Sequence, residues 1–269
     1  LVLSLSSGIM YHRLVDRITA LNDVPREPLV PRRLGKNMCV PFGKILRGKV
    51  VPNTVTKTLH TDKVYEPDLN SFTIEPFPYY SPLKSQIETI KSFDRPVILV
   101  DDLVHTANRL QVLVPQLRED GIPIKKVVVG VLSGYGRDLM QCLKVPVESI
   151  YSMPNLRQWF VESTLYPFIG GDTVRREEMK VAGLQPSINM ILPYATPRLS
   201  GCSREALVEF SACCIENSRD LLQVLEAEYR KQYAKNLTLS RLSEAVILPL
   251  CPDKGECVGV DVSNGEHFT

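Results

Sequence analysis

The sequence predicts an α/β fold, a mainly parallel twisted sheet flanked by helices with a C-terminal helical extension. Short apolar runs such as 97–100 (VILV) and 127–129 (VVV) are typical of strands buried on both faces of a parallel sheet. Segments whose apolar residues recur at helical spacing alternate with these runs. Helices alternating with strands at these lengths favour a parallel sheet with crossover connections.

Several further elements are expected around these strands. Asn37 to Val64 has a β-like pattern with basic interruptions, and its part 50–64 is rich in Val and Thr, which favours strands. Ser81 is expected to cap a short helix, with Pro82 at its first position. Pro115 is expected to break or kink the helix that follows the first apolar run, whereas Ser203 caps a long helix. The predicted helices are 8–21, 83–93, 107–120, 136–143, 203–236 and 239–248, and the later strands are 125–134 and 145–153.

The organisation along the chain predicts four segments. They are an N-terminal helix and connector (1–36), an α/β domain (37–200), C-terminal helices (201–250) and a frayed tail (251–269). With 269 residues, 44% of them hydrophobic, the chain can bury a substantial core. Since it lacks an initiator Met, we expect that it begins within a longer polypeptide or that its start was trimmed.

Charge and cysteine content restrict the classes of partner. A net charge of +2 favours neither a nucleic-acid nor a membrane partner, and no apolar run is long enough for a membrane span. The seven cysteines are scattered without a CxxC pair, which predicts reduced thiols in a cytoplasmic protein. Cys251, Cys257 and His267 are too few and too irregularly spaced to favour a metal site.

The segment 97–109 (VILVDDLVHTANR) carries the clearest chemical pattern. Ligands of an open α/β sheet sit beyond the carboxyl ends of its strands. Asp101 and Asp102 follow the buried run and can accept hydrogen bonds from a vicinal diol. The small-polar turn after them leads into a helix, whose free N–H groups attract phosphate. The pattern therefore matches a sugar phosphate.

This segment resembles the thirteen-residue signature of type I phosphoribosyltransferases. The resemblance implies that Asp101 and Asp102 hold the ribose hydroxyls and a metal ion. It also implies that the turn wraps the 5′-phosphate. The implied phosphate-binding residues are His105, Thr106, Ala107, Asn108 and Arg109.

Two positions depart from the family pattern. The family usually has a small residue at position 105, where His105 adds bulk and a further phosphate donor. Most members have Gly at position 107, and Ala107 is suitable only if the backbone there needs no positive φ.

Two other families also use an apolar strand that ends in acids. A Walker B strand requires an upstream GxxxxGK[ST] loop, which Gly43 and Lys44 do not complete. A receiver domain requires a phosphoacceptor Asp on a later strand, and none lies between Val145 and Pro154. A buried strand ending in a solvated acidic turn remains the plain structural alternative.

Basic residues upstream of the signature suggest an anion site. The resemblance implies a pyrophosphate loop, for which Lys44 and Arg47 are the candidates. It also implies a mobile catalytic loop, for which Lys57, His60 and Lys63 are the candidates. Cations there stabilise negative charge on a departing pyrophosphate, and Mg²⁺ is expected to assist. The alternative is ordinary surface charge on a β-ribbon, although three-residue spacing suits a loop better than a strand.

The leading functional hypothesis is a transferase that binds phosphoribosyl pyrophosphate with Mg²⁺. It would move the phosphoribosyl group to a nitrogenous base, as in nucleotide metabolism. The alternative is a non-catalytic module that binds nucleotide or ribose phosphate within a larger protein. A third hypothesis is an interaction domain that uses the long helix. A homodimer, or contact with other domains of a longer chain, is compatible with each hypothesis.

Overall fold

A computed structural model of the chain describes most of its first 161 residues and a smaller share of the rest. The predicted helix 239–248 lies almost wholly outside the described residues, as do Cys251, Cys257, His267 and the tail. The described residues are 3–31, 33–66, 71–77, 80–161, 165–167, 172–175, 187–188, 191–192, 199, 201–238 and 241.

The chain forms two compact units. The first comprises 1–61 and 74–156, and the second comprises 62–73 and 157–269. The division into four segments made from the sequence stays a prediction, because compactness alone does not show which segments fold independently.

A four-stranded, wholly parallel sheet lies at the centre of the first unit. Its strands are β1 (Met38–Pro41), β4 (Val97–Val104), β5 (Ile124–Ser133) and β6 (Val147–Met153), in the order β1-β4-β5-β6. Its helices are α1 (Ser7–Leu21), α2 (Leu83–Lys91), α3 (Asn108–Glu119) and α4 (Gly134–Cys142). The predicted mainly parallel sheet flanked by helices is confirmed.

The two faces of this sheet bury separate apolar clusters. Val97 and Leu99 of β4 point into a cluster with α2, α3 and α4, whereas Ile98 and Val100 point into a cluster with α1. Alternate residues of a strand face opposite sides, so every residue of the run is buried. This explains why the run is continuously apolar rather than alternating.

The Val- and Thr-rich region 50–64 is less strand-like than predicted. Only β2 (Thr61–Tyr65) is a regular strand there, although 55–59 runs beside β1 through backbone hydrogen bonds of 2.8–3.0 Å. Local side-chain hydrogen bonds compete with a β-ladder. The Asn53 amide donates to two backbone carbonyls at 2.8 Å, and the Thr56 hydroxyl bonds Val51 N and the Thr54 carbonyl.

Two predictions, the cap of α2 at Ser81 and a break of α3 at Pro115, were wrong. Ser81 is not the N-cap of α2; Pro82 holds that position without a side-chain hydrogen bond. Pro115 does not break α3, which is continuous from Asn108 to Glu119. Four apolar side chains of α3 are buried, and their burial offsets the hydrogen bond that Pro115 cannot donate. They are Leu110, Leu113, Val114 and Leu117.

In the second unit, the predicted long helix is confirmed. This helix, α5 (Arg204–Tyr233), begins after Ser203, whose hydroxyl accepts from Ala206 N at 3.2 Å. A second sheet has the order β3-β2-β7-β8, with β3 (Phe72–Pro76), β7 (Asp172–Val174) and β8 (Ser187–Ile188). The division of the chain into the two units falls within β2 and within β3. Within the part of the chain that the structure describes, each helix is too short or too polar to cross a bilayer.

Candidate functional site

The two acids of the signature lie in the second half of β4, beside the carboxyl end of β1. The strand continues to Val104, beyond the apolar run where the sequence ended it. Pro41 of β1 pairs with Val100, and the amides of Phe42 and Gly43 donate to the Val100 carbonyl at 3.0 and 3.4 Å. The chain leaving β1 is therefore held directly against Asp101 and Asp102.

The carboxylate of Asp102 binds the backbone of the turn that follows β1. Its Oδ2 accepts from Lys44 N at 2.6 Å, and its Oδ1 accepts from Ile45 N at 3.0 Å. Lys44 was predicted to bind pyrophosphate; its side chain is exposed, but its amide is already engaged by this carboxylate. Asp102 thus fixes the position of the turn as well as facing the site.

Gly43 is the residue that permits this close approach. A Cβ at this position would lie 2.5 Å from Asp102 Oδ1, 2.7 Å from Asp102 N and 2.8 Å from Asp101 Oδ1. These separations are shorter than any tolerated carbon contact, and one of the opposing atoms is backbone. Only glycine fits between β1 and both acids.

Asp101 is almost completely buried, at 9% exposure. Its pKa is raised to about 7, mainly by burial and in part by the neighbouring Asp102 carboxylate. Arg109, the Asp102 amide and Arg47 act in the opposite direction and limit the rise. Its Oδ1 accepts from Asp102 N at 2.8 Å. The two adjacent acids therefore differ: Asp101 titrates near neutrality in a low-dielectric setting, whereas Asp102 is half-buried and bound to amides.

The turn between β4 and α3 contains a strained backbone. Ala107 has φ 51° and ψ 20°, in the left-handed region, so the condition under which alanine would suit this position is not met. No side chain caps α3, and the first amides of a helix lack partners within it. The Thr106 hydroxyl accepts from Asn108 Nδ2 at 2.9 Å, which closes the turn.

Replacing Ala107 with Gly is expected to stabilise the free protein slightly. Relief of the left-handed strain, about 1–2 kcal/mol, is partly offset by about 0.4–1 kcal/mol of extra unfolded-chain entropy. The net gain, about 0–1.6 kcal/mol from these two ranges, is measured by urea unfolding. Ala20→Gly in the exposed last turn of α1 is the control and should destabilise the protein. A loss at Ala107 as large as at Ala20 would contradict the strain.

Cationic side chains and a histidine surround the same sheet edge. Arg109, at the start of α3, donates to the Phe42 carbonyl at 3.5 Å. Arg47 donates to the Thr61 carbonyl at 3.4 Å, and its guanidinium lies 5.2 Å from the centre of the Phe77 ring. Arg47 acts electrostatically on both Asp101 and His60, so its charge affects the acids and the histidine alike.

His60, predicted to be catalytic, is held firmly from its backbone. The buried Gln86 side chain accepts from His60 N at 2.8 Å and donates to the His60 carbonyl at 3.2 Å. The imidazole stacks on Tyr80, with ring centres 3.6 Å apart and planes inclined by 12°. Burial lowers the pKa of His60, and the nearby Arg47 and Lys57 lower it further, so the ring is neutral at neutral pH.

The three predicted catalytic residues do not share one loop. Lys57 and His60 lie in irregular chain of the first unit, as expected, but Lys63 lies within strand β2 and belongs to the second unit. Its ammonium lies 4.4 Å and 4.1 Å from the ring centres of Tyr65 and Phe72. Such cation–π contacts stabilise a cation on a strand surface. The three-residue spacing of Lys57, His60 and Lys63 gave no indication of these contacts.

Comparisons with known proteins give only distant similarities. No protein-family model matches the chain, and no curated protein matches it. A purine phosphoribosyltransferase from Pyrococcus horikoshii is similar, with 12% identity and a TM-score of 0.32, over 58% of this chain and 92% of that one. A hypoxanthine phosphoribosyltransferase from Trypanosoma cruzi in complex with IMP has 17% identity and a TM-score of 0.32, over 55% and 73%.

Both solved structures are phosphoribosyltransferases, the family that the signature resembles. At this level of similarity the α/β architecture rests on the strands and helices of the chain itself. The roles of the individual site residues likewise rest on their contacts and remain predictions.

Three residues of the site were not singled out from the sequence. Gly43 was considered only as part of an incomplete GxxxxGK[ST] loop, although a glycine directly after a short strand could have indicated a close approach. Gln86 and Tyr80 gave no sequence signal. Both act on His60 across a separation of 20 residues or more, which only the folded chain brings together.

Proposed function

We propose that this protein binds phosphoribosyl pyrophosphate with Mg²⁺ and transfers the phosphoribosyl group to a nitrogenous base or similar acceptor. The observation that carries the proposal is the grouping at one sheet edge. Asp101 and Asp102 lie there beside an uncapped helix N-terminus, and Arg47 and Arg109 flank the acids. Ligands of open α/β sheets sit at this edge, beyond the carboxyl ends of the strands.

Each part of the ligand has a chemically suitable partner. Each Asp102 oxygen accepts one amide and retains a lone pair for a ribose hydroxyl. The first amides of α3 and the Thr106 hydroxyl suit a 5′-phosphate. Arg47, Lys57 and Lys44 supply the positive charge that a pyrophosphate leaving group requires.

The donor set at this edge suits Mg²⁺ only together with a ligand. Mg²⁺ prefers hard oxygen ligands and is usually held by one or two carboxylates plus substrate phosphates. Asp101 and Asp102 supply two adjacent carboxylates. In the described residues no group of three or more His, Cys, Asp or Glu side chains could hold a metal ion. We therefore propose that Mg²⁺ arrives with the phosphates, whose charge it would partly neutralise.

A second candidate function is non-catalytic binding of a nucleotide or ribose phosphate. The engagement of Asp102 by two backbone amides favours it, because a carboxylate committed to the turn has less freedom to follow a reacting ribose. A cytoplasmic location, a homodimer and a longer parent chain stay predictions under either function.

Titration calorimetry with phosphoribosyl pyrophosphate and Mg²⁺ tests binding by the full chain. We expect binding by the wild type and about tenfold or greater weakening by Asp102→Asn, which removes a charged acceptor. The same substitution should lower the free energy of unfolding by about 1–2 kcal/mol, because an Asn side chain has one acceptor oxygen for two amides. Absence of wild-type binding would reject the transferase, and it would exclude phosphoribosyl pyrophosphate as the ligand of a regulatory module.

Release of pyrophosphate over a panel of purine and pyrimidine bases separates transfer from binding. Turnover with any base supports the transferase, and tight binding without turnover supports the regulatory module. Asp138→Asn, at an exposed position on α4, serves as the matched control and should leave both measurements unchanged.

A further inference from the structure

His105 makes a specific contact with the next strand of the sheet. Its Nδ1 lies 2.8 Å from the Oγ of Ser133, the last residue of β5. Ser133 is 1% exposed and also caps α4, since its Oγ accepts from Gly136 N at 2.9 Å. Ser133 therefore links the turn between β4 and α3 to the first turn of α4.

The distribution of hydrogens between these groups is restricted. A serine oxygen can accept two hydrogen bonds, and the Gly136 amide supplies one of them. If Nδ1–H supplied the second, the hydrogen of this buried hydroxyl would have no acceptor among the described residues. If Ser133 donates that hydrogen to Nδ1, each group keeps one partner of the correct kind and the neutral ring carries its proton on Nε2. Among the described residues, no hydrogen-bond partner of Nε2 is found, and His105 is half-exposed.

Ser133 can hold His105 only if it is itself immobile, and its surroundings make it so. A Cβ on Gly136 would overlap the Val104 carbonyl, and one on Gly134 would lie 2.6 Å from the Pro154 carbonyl. The start of α4 is thus packed so closely against the ends of β4 and β6 that Gly134 and Gly136 cannot carry a side chain. The Tyr135 ring adds a contact to the imidazole, with ring centres 5.7 Å apart.

We propose that Ser133 is a positioning residue that holds neutral His105 with its proton on Nε2, so that Nε2 donates a hydrogen bond to the phosphate monoester of the ligand. This inference rests on the proposed function and identifies a donor that the signature lacks, because His105 stands where a small residue is usual. Ser133 acts through His105 and does not itself contact the ligand.

The first measurement needs no ligand. Nitrogen-15 NMR of the imidazole in the free, full-length chain, at about pH 8 where an ordinary histidine is neutral, reports which nitrogen carries the proton. We expect the Nε2–H form in the wild type and in Ser133→Thr, which keeps the hydroxyl. A wild-type ring protonated on Nδ1 would overturn the proposal whether or not the protein binds sugar phosphates.

The second measurement is a double-mutant cycle with ribose 5-phosphate as the probe. Ser133→Gly removes the hydroxyl yet keeps a residue accepted at an N-cap. We expect Ser133→Gly and His105→Ala each to weaken binding about tenfold, as for one hydrogen bond to a charged group. The double variant should bind no more weakly than His105→Ala alone, and Ser133→Thr should bind as the wild type does.

Additive losses in the cycle would overturn the positioning role, because Ser133 would then act independently of His105. Loss of folding in Ser133→Gly would be visible in the circular dichroism spectrum. The affinities of Ser133→Thr and His105→Ala for ribose 5-phosphate would then be compared instead. If the wild type does not bind ribose 5-phosphate, the donor role fails together with the proposed function. The tautomer measured without ligand distinguishes that result from a failure of positioning alone.

Discussion

Asp101→Asn is expected to make the free protein more stable than the wild type at about pH 8, while it weakens ligand binding. The reason is the burial of Asp101, which raises the pKa of this carboxyl from 3.8 to about 7. An ionised group in that setting lowers the stability of the folded state by up to about 4 kcal/mol. The amide of Asn leaves a buried donor to satisfy, so the net gain is about 1–3 kcal/mol.

The pH dependence has a definite sign. Between about pH 4 and pH 7 the folded state binds more protons than the unfolded state, so wild-type stability falls as the pH rises through this window. Below the window the carboxyl is protonated in both states and the penalty is absent. Asp101→Asn should therefore show a flatter profile and gain stability mainly above the window.

Urea unfolding of both proteins at a series of pH values checks this result. Asp138→Asn, on the exposed side of α4, is the control and should reproduce the wild-type profile. If Asp101→Asn and the wild type kept the same pH slope, the carboxyl would not be buried in a low-dielectric setting. In that case Asp101 would be exposed to solvent, contrary to the site described above.

Gly43→Ala is expected to abolish ligand binding and to destabilise the fold. The added methyl carbon would overlap Asp102 Oδ1, Asp102 N and Asp101 Oδ1, at 2.5–2.8 Å. Overpacking of this kind costs about 1–3 kcal/mol. The added methyl group must also displace either the two acids or the turn whose amides bind Asp102. A displacement of about 1 Å can reduce activity about 100-fold.

The experiment compares Gly43→Ala with Gly8→Ala by calorimetry with phosphoribosyl pyrophosphate and by urea unfolding. Gly8 lies in the first turns of α1, and a Cβ there would meet only the Ser6 hydroxyl at 3.7 Å. Gly8→Ala should therefore stabilise the chain by a few tenths to about 1 kcal/mol and leave binding intact. Near-normal binding by Gly43→Ala would show that β1 does not pack against the acids.

Local patterns predicted the elements whose stability depends on short-range chemistry. The buried run of β4 and the cap of α5 at Ser203 were both found where expected. The region 50–64 was misjudged because the side chains of Asn53 and Thr56 hydrogen-bond to the backbone and compete with a ladder. Strand propensity does not take these competing hydrogen bonds into account.

The candidate site divides in a similar way. The adjacent acids and the turn into α3 could be read along the chain, since they form one continuous segment. The strain at Ala107 and the neutral state of His60 could not be predicted from the sequence, because they depend on packing and on charges from other segments.

By itself, the sequence determined that two carboxylates follow a buried strand and precede a helix, because apolar periodicity and residue type are local properties. Only the tertiary structure decided that Asp101 is buried, that Asp102 binds the turn after β1 and that Ser133 reaches His105. These contacts join residues 28 or more positions apart. Their partners are selected by the register of the parallel sheet, which aligns the carboxyl ends of β1, β4 and β5.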